Sequence, residues 1–221
     1  MKSNKPLDEK KWTKMSLRLQ PALWAGYSAD LKESFIRSSD FLNHVLKAEI
    51  PHFLSELEGR QPLSSDAHRY IAGEVKRVGP IAVSIELETT TAELVNNAMK
   101  QTNVVRDAFF NRLLLLLRSR PQLLRHMGVP ISLGDLRFSD WKTVLGSISP
   151  VERLKEAVHD PLYFVRESLL ENGNDGPYLH HIEIKFNDKP SAFATCYLEP
   201  HEVPDSEEKR KWDTEIEDLI L

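Results

Sequence analysis

A single cysteine, Cys196, stands among 221 residues. It leaves no partner for an intrachain disulfide framework, and such a chain fits a reducing, cytoplasmic compartment. Long apolar runs are also missing. Nothing reaches the roughly 20 residues that a membrane-spanning helix requires, and Met1-Lys2-Ser3-Asn4-Lys5 leads into no apolar secretory core. The glycine-rich loop of Walker type and the Gly-x-Ser-x-Gly elbow are both absent. The many carboxylates of the C-terminal part form no recognisable catalytic pair, so the expectation is a protein that is not an enzyme and needs no cofactor.

What is present is ordinary in bulk and uneven in distribution. Hydrophobic residues at 41% and charged residues at 28% suit a globular protein, and the length allows one or two domains with a real core. The net charge of −4 hides a division of sign: residues 1–130 hold 19 Lys and Arg against 14 Asp and Glu, residues 131–221 hold 10 against 19. A basic N-terminal part joined to an acidic C-terminal part is the footprint of a nucleic-acid-binding region attached to a regulatory or assembly region.

Residues 1–13 read as a flexible basic arm, with Lys2, Lys5, Lys10 and Lys11 available for phosphate contacts. Next comes an alternating stretch in which Met15, Leu17 and Leu19 share one face and Lys14, Ser16 and Arg18 the other, as a half-buried strand requires. From Pro21 the spacing becomes helical, with Leu23, Trp24, Tyr27, Leu31 and Phe35 recurring every three or four residues. Ser38-Ser39-Asp40 supplies caps for a second helix through Phe41, Val45, Leu46, Ile50 and Phe53, which Pro51 should kink or shorten.

A short helix over residues 67–78 links this unit to a second one. Ile81, Val83, Ile85 and Leu87 alternate with Ala82, Ser84 and Glu86 in another strand. Thr90-x-x-Glu93 signals a helix over about 91–99, one turn shorter than its counterpart, and Thr102-Asn103 caps a third over 104–118. Leu113 to Leu117 is apolar on every side, which asks for burial in the core or an oligomer interface.

The strand with Lys14, Ser16 and Arg18, followed by two helices of which the second starts at Ser38-Ser39, resembles the ribbon-helix-helix family of DNA-binding proteins. In that family two such units pair their strands into an antiparallel ribbon that enters the major groove, and the second helix holds a phosphate at its N-terminus. The resemblance implies that Lys14, Ser16 and Arg18 face bases, that Ser38 and Ser39 lie at a phosphate, and that Lys10 and Lys11 add backbone contacts. Ser84, Thr102 and Asn103 are the corresponding contacts of the second unit. Glu86 departs from the pattern, since a carboxylate repels phosphates although it can accept from a cytosine amino group. The two units can pair within one chain or with their counterparts in a homodimer.

Beyond residue 118 the pattern changes. Short helices are expected at 151–159 and 161–171, and strands at 178–186 and 191–198 joined by Asn187-Asp188-Lys189 with Ile182, Ile184, Phe186, Phe193 and Tyr197 inward. Trp212, Ile216, Leu219 and Ile220 have helical spacing in an acidic tail. His180, His181, Cys196 and His201 fall in this region, but adjacent histidines point to opposite faces of a strand, so no metal site is assigned.

The sequence therefore predicts an α+β, mainly helical protein: a basic arm at 1–13, tandem ribbon-helix-helix-like units at 14–118 and an α+β C-terminal domain at 119–221. Its expected function is that of a cytoplasmic, sequence-specific regulator of transcription, a repressor that binds double-stranded DNA as a homodimer. The alternative is a protein–protein adaptor of phage or plasmid type, working through its acidic C-terminal part and binding no DNA.

Overall fold

A computed structural model describes residues 11–33, 35, 37–118, 160–171, 173–180, 185–186, 189–190 and 195–204. Six helices and a two-stranded antiparallel ribbon dominate it, an α+β arrangement that is mainly helical. No helix among these residues is long and apolar enough to cross a membrane.

The order is β1 (Trp12–Leu19), α1 (Pro21–Glu33), α2 (Ser38–Glu56), α3 (Ser65–Arg77), β2 (Ile81–Glu88), α4 (Thr89–Thr102), α5 (Arg106–Arg118) and α6 (Tyr163–Glu171), with a two-residue hairpin of Lys185–Phe186 and Lys189–Pro190 beyond it. The question left open by the sequence has a definite answer. β1 pairs antiparallel with β2 of the same chain along its whole length, from Trp12↔Glu88 to Leu19↔Ile81. Met15, Leu17 and Leu19 and, opposite, Val83, Ile85 and Leu87 turn inward and are buried, while Lys14, Ser16, Arg18, Ala82, Ser84 and Glu86 face outward. Alternation of period two thus converts directly into one dry and one wet face.

The helices interlock across the ribbon. α2, from the first unit, packs on β2 and α4, whereas α5, from the second, packs on β1 and α1. The strand register and the matching bonds of Asn43 and Asn111 relate the two units at a constant interval along the chain, a correspondence that an approximate two-fold axis through the Ser16↔Ser84 pair describes. It exchanges Leu17 with Ile85 and Leu19 with Leu87 on the strands. On the helices it exchanges Phe41 with Phe109, Leu42 with Phe110 and Leu46 with Leu114, all buried. Phe35 and Asn103, which end the first helix of each unit, share left-handed backbone angles of φ 54 and φ 55.

Several local expectations are corrected. α2 continues through Pro51 to Glu56: the missing N–H lies on the exposed side, near Lys47, where water can serve the carbonyl, and the buried face is uninterrupted. Ser38 is the first helical residue, with Arg37 at the cap position. α4 starts at Thr89 after Glu88 with no side-chain cap, and at 14 residues it is no shorter than the 13 of α1. Asn103 ends α4 in the left-handed conformation instead of starting α5, which begins at Arg106.

Leu113 to Leu117 are all buried in one core that extends to Leu162, Val165, Leu169, Tyr178, Cys196 and Tyr197. Tyr178, expected on a long strand, is instead in a turn, and residues 195–199 form no strand. The expected helix at 151–159, the acidic tail with Trp212, and His181, Ile182, Ile184 and Phe193 lie outside the described residues, as does Lys10.

Candidate nucleic-acid interface

The outward face of the ribbon is built by register. Cross-strand neighbours there are Trp12 with Glu88, Lys14 with Glu86, Ser16 with Ser84 and Arg18 with Ala82. Lys14, Ser16, Arg18, Ala82, Ser84 and Glu86 are exposed. Strands hold such side chains nearly perpendicular to the sheet, so their relative positions are set by the backbone.

Two asparagines lock the ribbon ends to the interlocked helices. Asn43 on α2 accepts from the Glu88 amide at 2.9 Å and donates to the Ser39 carbonyl at 2.7 Å. Its counterpart Asn111 on α5 accepts from the Gln20 amide at 2.8 Å and donates to the Asp107 carbonyl at 2.7 Å, with a further bond to the Arg18 carbonyl at 2.9 Å. Both are buried, and each satisfies a strand-end amide that would otherwise lack a partner. The N-termini of α2 and α5 are thereby fixed beside the ribbon.

Each of these N-termini carries an arginine that the sequence reading passed over. Arg37 lies over the Trp12 ring at 5.1 Å and 4.0 Å from the Glu86 carboxylate. Arg106 donates to the Ser16 carbonyl at 2.9 Å. Neither carries a local mark in the sequence: Arg37 precedes the first helical residue of α2 and Arg106 is the first of α5, so the two are not equivalent positions. Together with Lys14 and Arg18 they outnumber Glu86 and Glu88 around the face, and Glu88 is engaged by Lys47 at 2.5 Å. The exposed Lys11 stands at the end of β1, its carbonyl accepting from the Thr89 amide at 2.8 Å.

The expected residues therefore divide. Lys14, Ser16, Arg18 and Ser84 share the outer face, and the partly exposed Ser38 and Ser39 lie in the first turn of α2, beside it. Thr102 and Asn103 are committed elsewhere: the buried Thr102 hydroxyl bonds to the Ala98 carbonyl at 2.8 Å, and the Asn103 amide donates to Leu63 O at 2.6 Å. Closing α4 and tethering the segment before α3 uses up the groups that a phosphate would need.

A second polar cluster lies deep against α2 and α5. Arg166 of α6 reaches Glu49 at 2.7 Å, Asp160 at 2.9 Å and Glu56 at 3.4 Å. Glu56 Oε1 accepts the amides of Tyr178 and Leu179 at 2.6 and 2.8 Å. The fully buried Arg112 donates to the carbonyls of Pro177, at 2.7 Å, and His180. Burial raises the Glu49 carboxyl to about 7 against the opposing charge of Arg166, and burial lifts the Cys196 thiol to about 12, which leaves it unreactive. Most of these groups bond to one another or to backbone; they hold residues 160–171 and 173–180 against the interlocked helices. A cleft of about 430 Å³ opens at the far end of α2, lined by Leu54, Arg60, Gln61, Gln101 and Tyr197 among others. Among the described residues no three His, Cys, Asp or Glu side chains gather as metal ligands would.

No family model matches the chain, and comparison with curated proteins and with solved structures gives no match.

Proposed function

We propose that the outer face of the β1–β2 ribbon binds the major groove of double-stranded DNA and that the protein is a sequence-specific regulator of ribbon-helix-helix type, acting as a repressor. The observation that carries this reading is the conjunction of an exposed two-stranded ribbon with two helix N-termini fixed on either side of it by Asn43 and Asn111. A ribbon of this width fits the major groove, and the free N–H groups of a helix N-terminus attract phosphate. Arg18 and Lys14 would meet base edges; Arg37, Arg106, Ser38 and Ser39 would flank them at the backbones. Because both strands come from one chain, a second copy is not needed to complete the reading unit.

The adaptor reading has one observation in its favour: Glu86 and Glu88 face Arg37 and Lys47, so part of the ribbon is already neutralised within the protein. Salt dependence separates the two. Fluorescence anisotropy with duplex DNA at low and physiological salt should show binding that weakens steeply as salt rises, because counterions are released from each phosphate contacted. Arg18→Ala should cost about 1–3 kcal/mol of specific binding. Absence of binding at low salt would overturn the DNA reading, and an equal loss for Arg18→Ala on every DNA sequence would overturn the role of Arg18 in base reading.

A further inference from the structure

We propose that a single copy of this chain reads a non-palindromic DNA site, with the Arg18 end and the Glu86 end of the ribbon selecting different bases. The inference rests on the DNA-binding reading and adds to it the symmetry of the target. Its origin is the mismatch between the inside and the outside of the ribbon. Across the approximate two-fold axis through Ser16↔Ser84, residues equally far along each strand exchange places. The inner exchanges are conservative: Met15 with Val83, Leu17 with Ile85, Leu19 with Leu87, all buried. The outer ones are not, since Lys14 exchanges with Ala82 and Arg18 with Glu86.

The chemistry at the two ends is therefore opposed. Arg18, beside the small Ala82, presents a fork of donors that suits the O6 and N7 acceptors of guanine. Glu86 offers acceptors alone, which suit the cytosine amino group and repel guanine's acceptors. It also lies between Lys14 across the ribbon and Arg37 at 4.0 Å, so this end reaches DNA with much of its charge already balanced. A palindrome would offer the same base edge to Arg18 and to Glu86, and no one edge satisfies both. The helix starts differ as well: Ser38 occupies the position equivalent to Arg106, and only Arg106 bonds to the ribbon backbone, at Ser16 O. In a homodimer of identical strands this inequality cannot arise, because both strands share one sequence. Fusion of the two units in one chain removes that constraint.

The test is selection from a randomised duplex library with the full chain, followed by sedimentation velocity on the recovered site to count chains per duplex. An asymmetric motif bound by one chain is expected. A palindromic motif, or two chains on one motif, would overturn the inference and leave DNA binding standing, while a failure to enrich any sequence would overturn the DNA reading itself. Glu86→Arg, at an exposed position, makes the two strand positions chemically alike. It should change the selected bases in one half only, with about a tenfold gain for guanine there. An unchanged motif from a variant with wild-type thermal stability would also overturn the proposal.

Discussion

The two strand-helix-helix units are nearly the same object on the inside and two different objects on the outside. Asn43 and Asn111 make the same pair of bonds, and Leu46 and Leu114 fill equivalent parts of one core. Outside, Arg18 corresponds to Glu86, a side chain of opposite charge. The interior must satisfy close packing and complete hydrogen bonding in both units at once, so it tolerates little divergence. The surface answers only to what it meets.

Interior positions that depart from this likeness hold the C-terminal segment: the buried Arg112 of α5, which bonds to the Pro177 and His180 carbonyls, has the exposed His44 as its counterpart on α2. α2 has Glu49 where α5 has Leu117, both buried. Glu49 receives Arg166 of α6 on the α2 side, while Arg112 receives the turn at Pro177 and His180 on the α5 side.

The strongest test of the inner likeness is truncation. Leu17→Ala and Ile85→Ala should each destabilise the fold by about 2–5 kcal/mol in urea denaturation; a large effect at one and almost none at the other would break the equivalence of the strands. Next come the asparagines. Asn111→Ala strands the Gln20 amide and the Arg18 carbonyl, and should cost about 1–3 kcal/mol, more than Asn43→Ala, which frees fewer long-range partners. Equal losses would show that the extra bond to Arg18 contributes nothing. On the outer face, Glu86→Gln should raise overall affinity by a modest factor while relaxing the preference for cytosine at its end, and Arg18→Ala should lower affinity selectively at the other; matching effects would remove the distinction between the ends.

The smallest expected effect is a change of slope with pH. The folded carboxyl of Glu49 titrates near 7, above its unfolded value of 4.5. Its folded state therefore holds a proton that the unfolded state has released, so this contribution is full below about 4.5 and is lost as pH rises through about 7. Glu49→Gln should flatten the stability profile over that window. An identical profile in the variant, measured by thermal unfolding from pH 4.5 to 8, would place the titration elsewhere.

Most of the individual elements could be read along the chain, and the make-up of the ribbon's outer face only in part. Lys14, Ser16, Arg18 and Ser84 follow from alternation alone, because a strand has two faces and the apolar set identifies one. Thr102-Asn103 was misread because a capping residue looks the same at the end of one helix as at the start of the next, and Leu63, which takes its bond, is far away in sequence. Arg37 and Arg106 carry no local mark; their meaning depends on where the ribbon lies.

The sequence by itself determined the two strands, the helices that follow them and which face of each is apolar, since these depend on periodicities of two and 3.6 residues within short windows. Only the tertiary structure decided that β1 pairs with β2 of its own chain, that α2 continues past Pro51, and that Arg166 joins two carboxylates of α2 to Asp160. Those outcomes rest on contacts between residues far apart in the chain. Their free energy comes from shared burial and from satisfying groups such as the Glu88 and Gln20 amides, which no local pattern records.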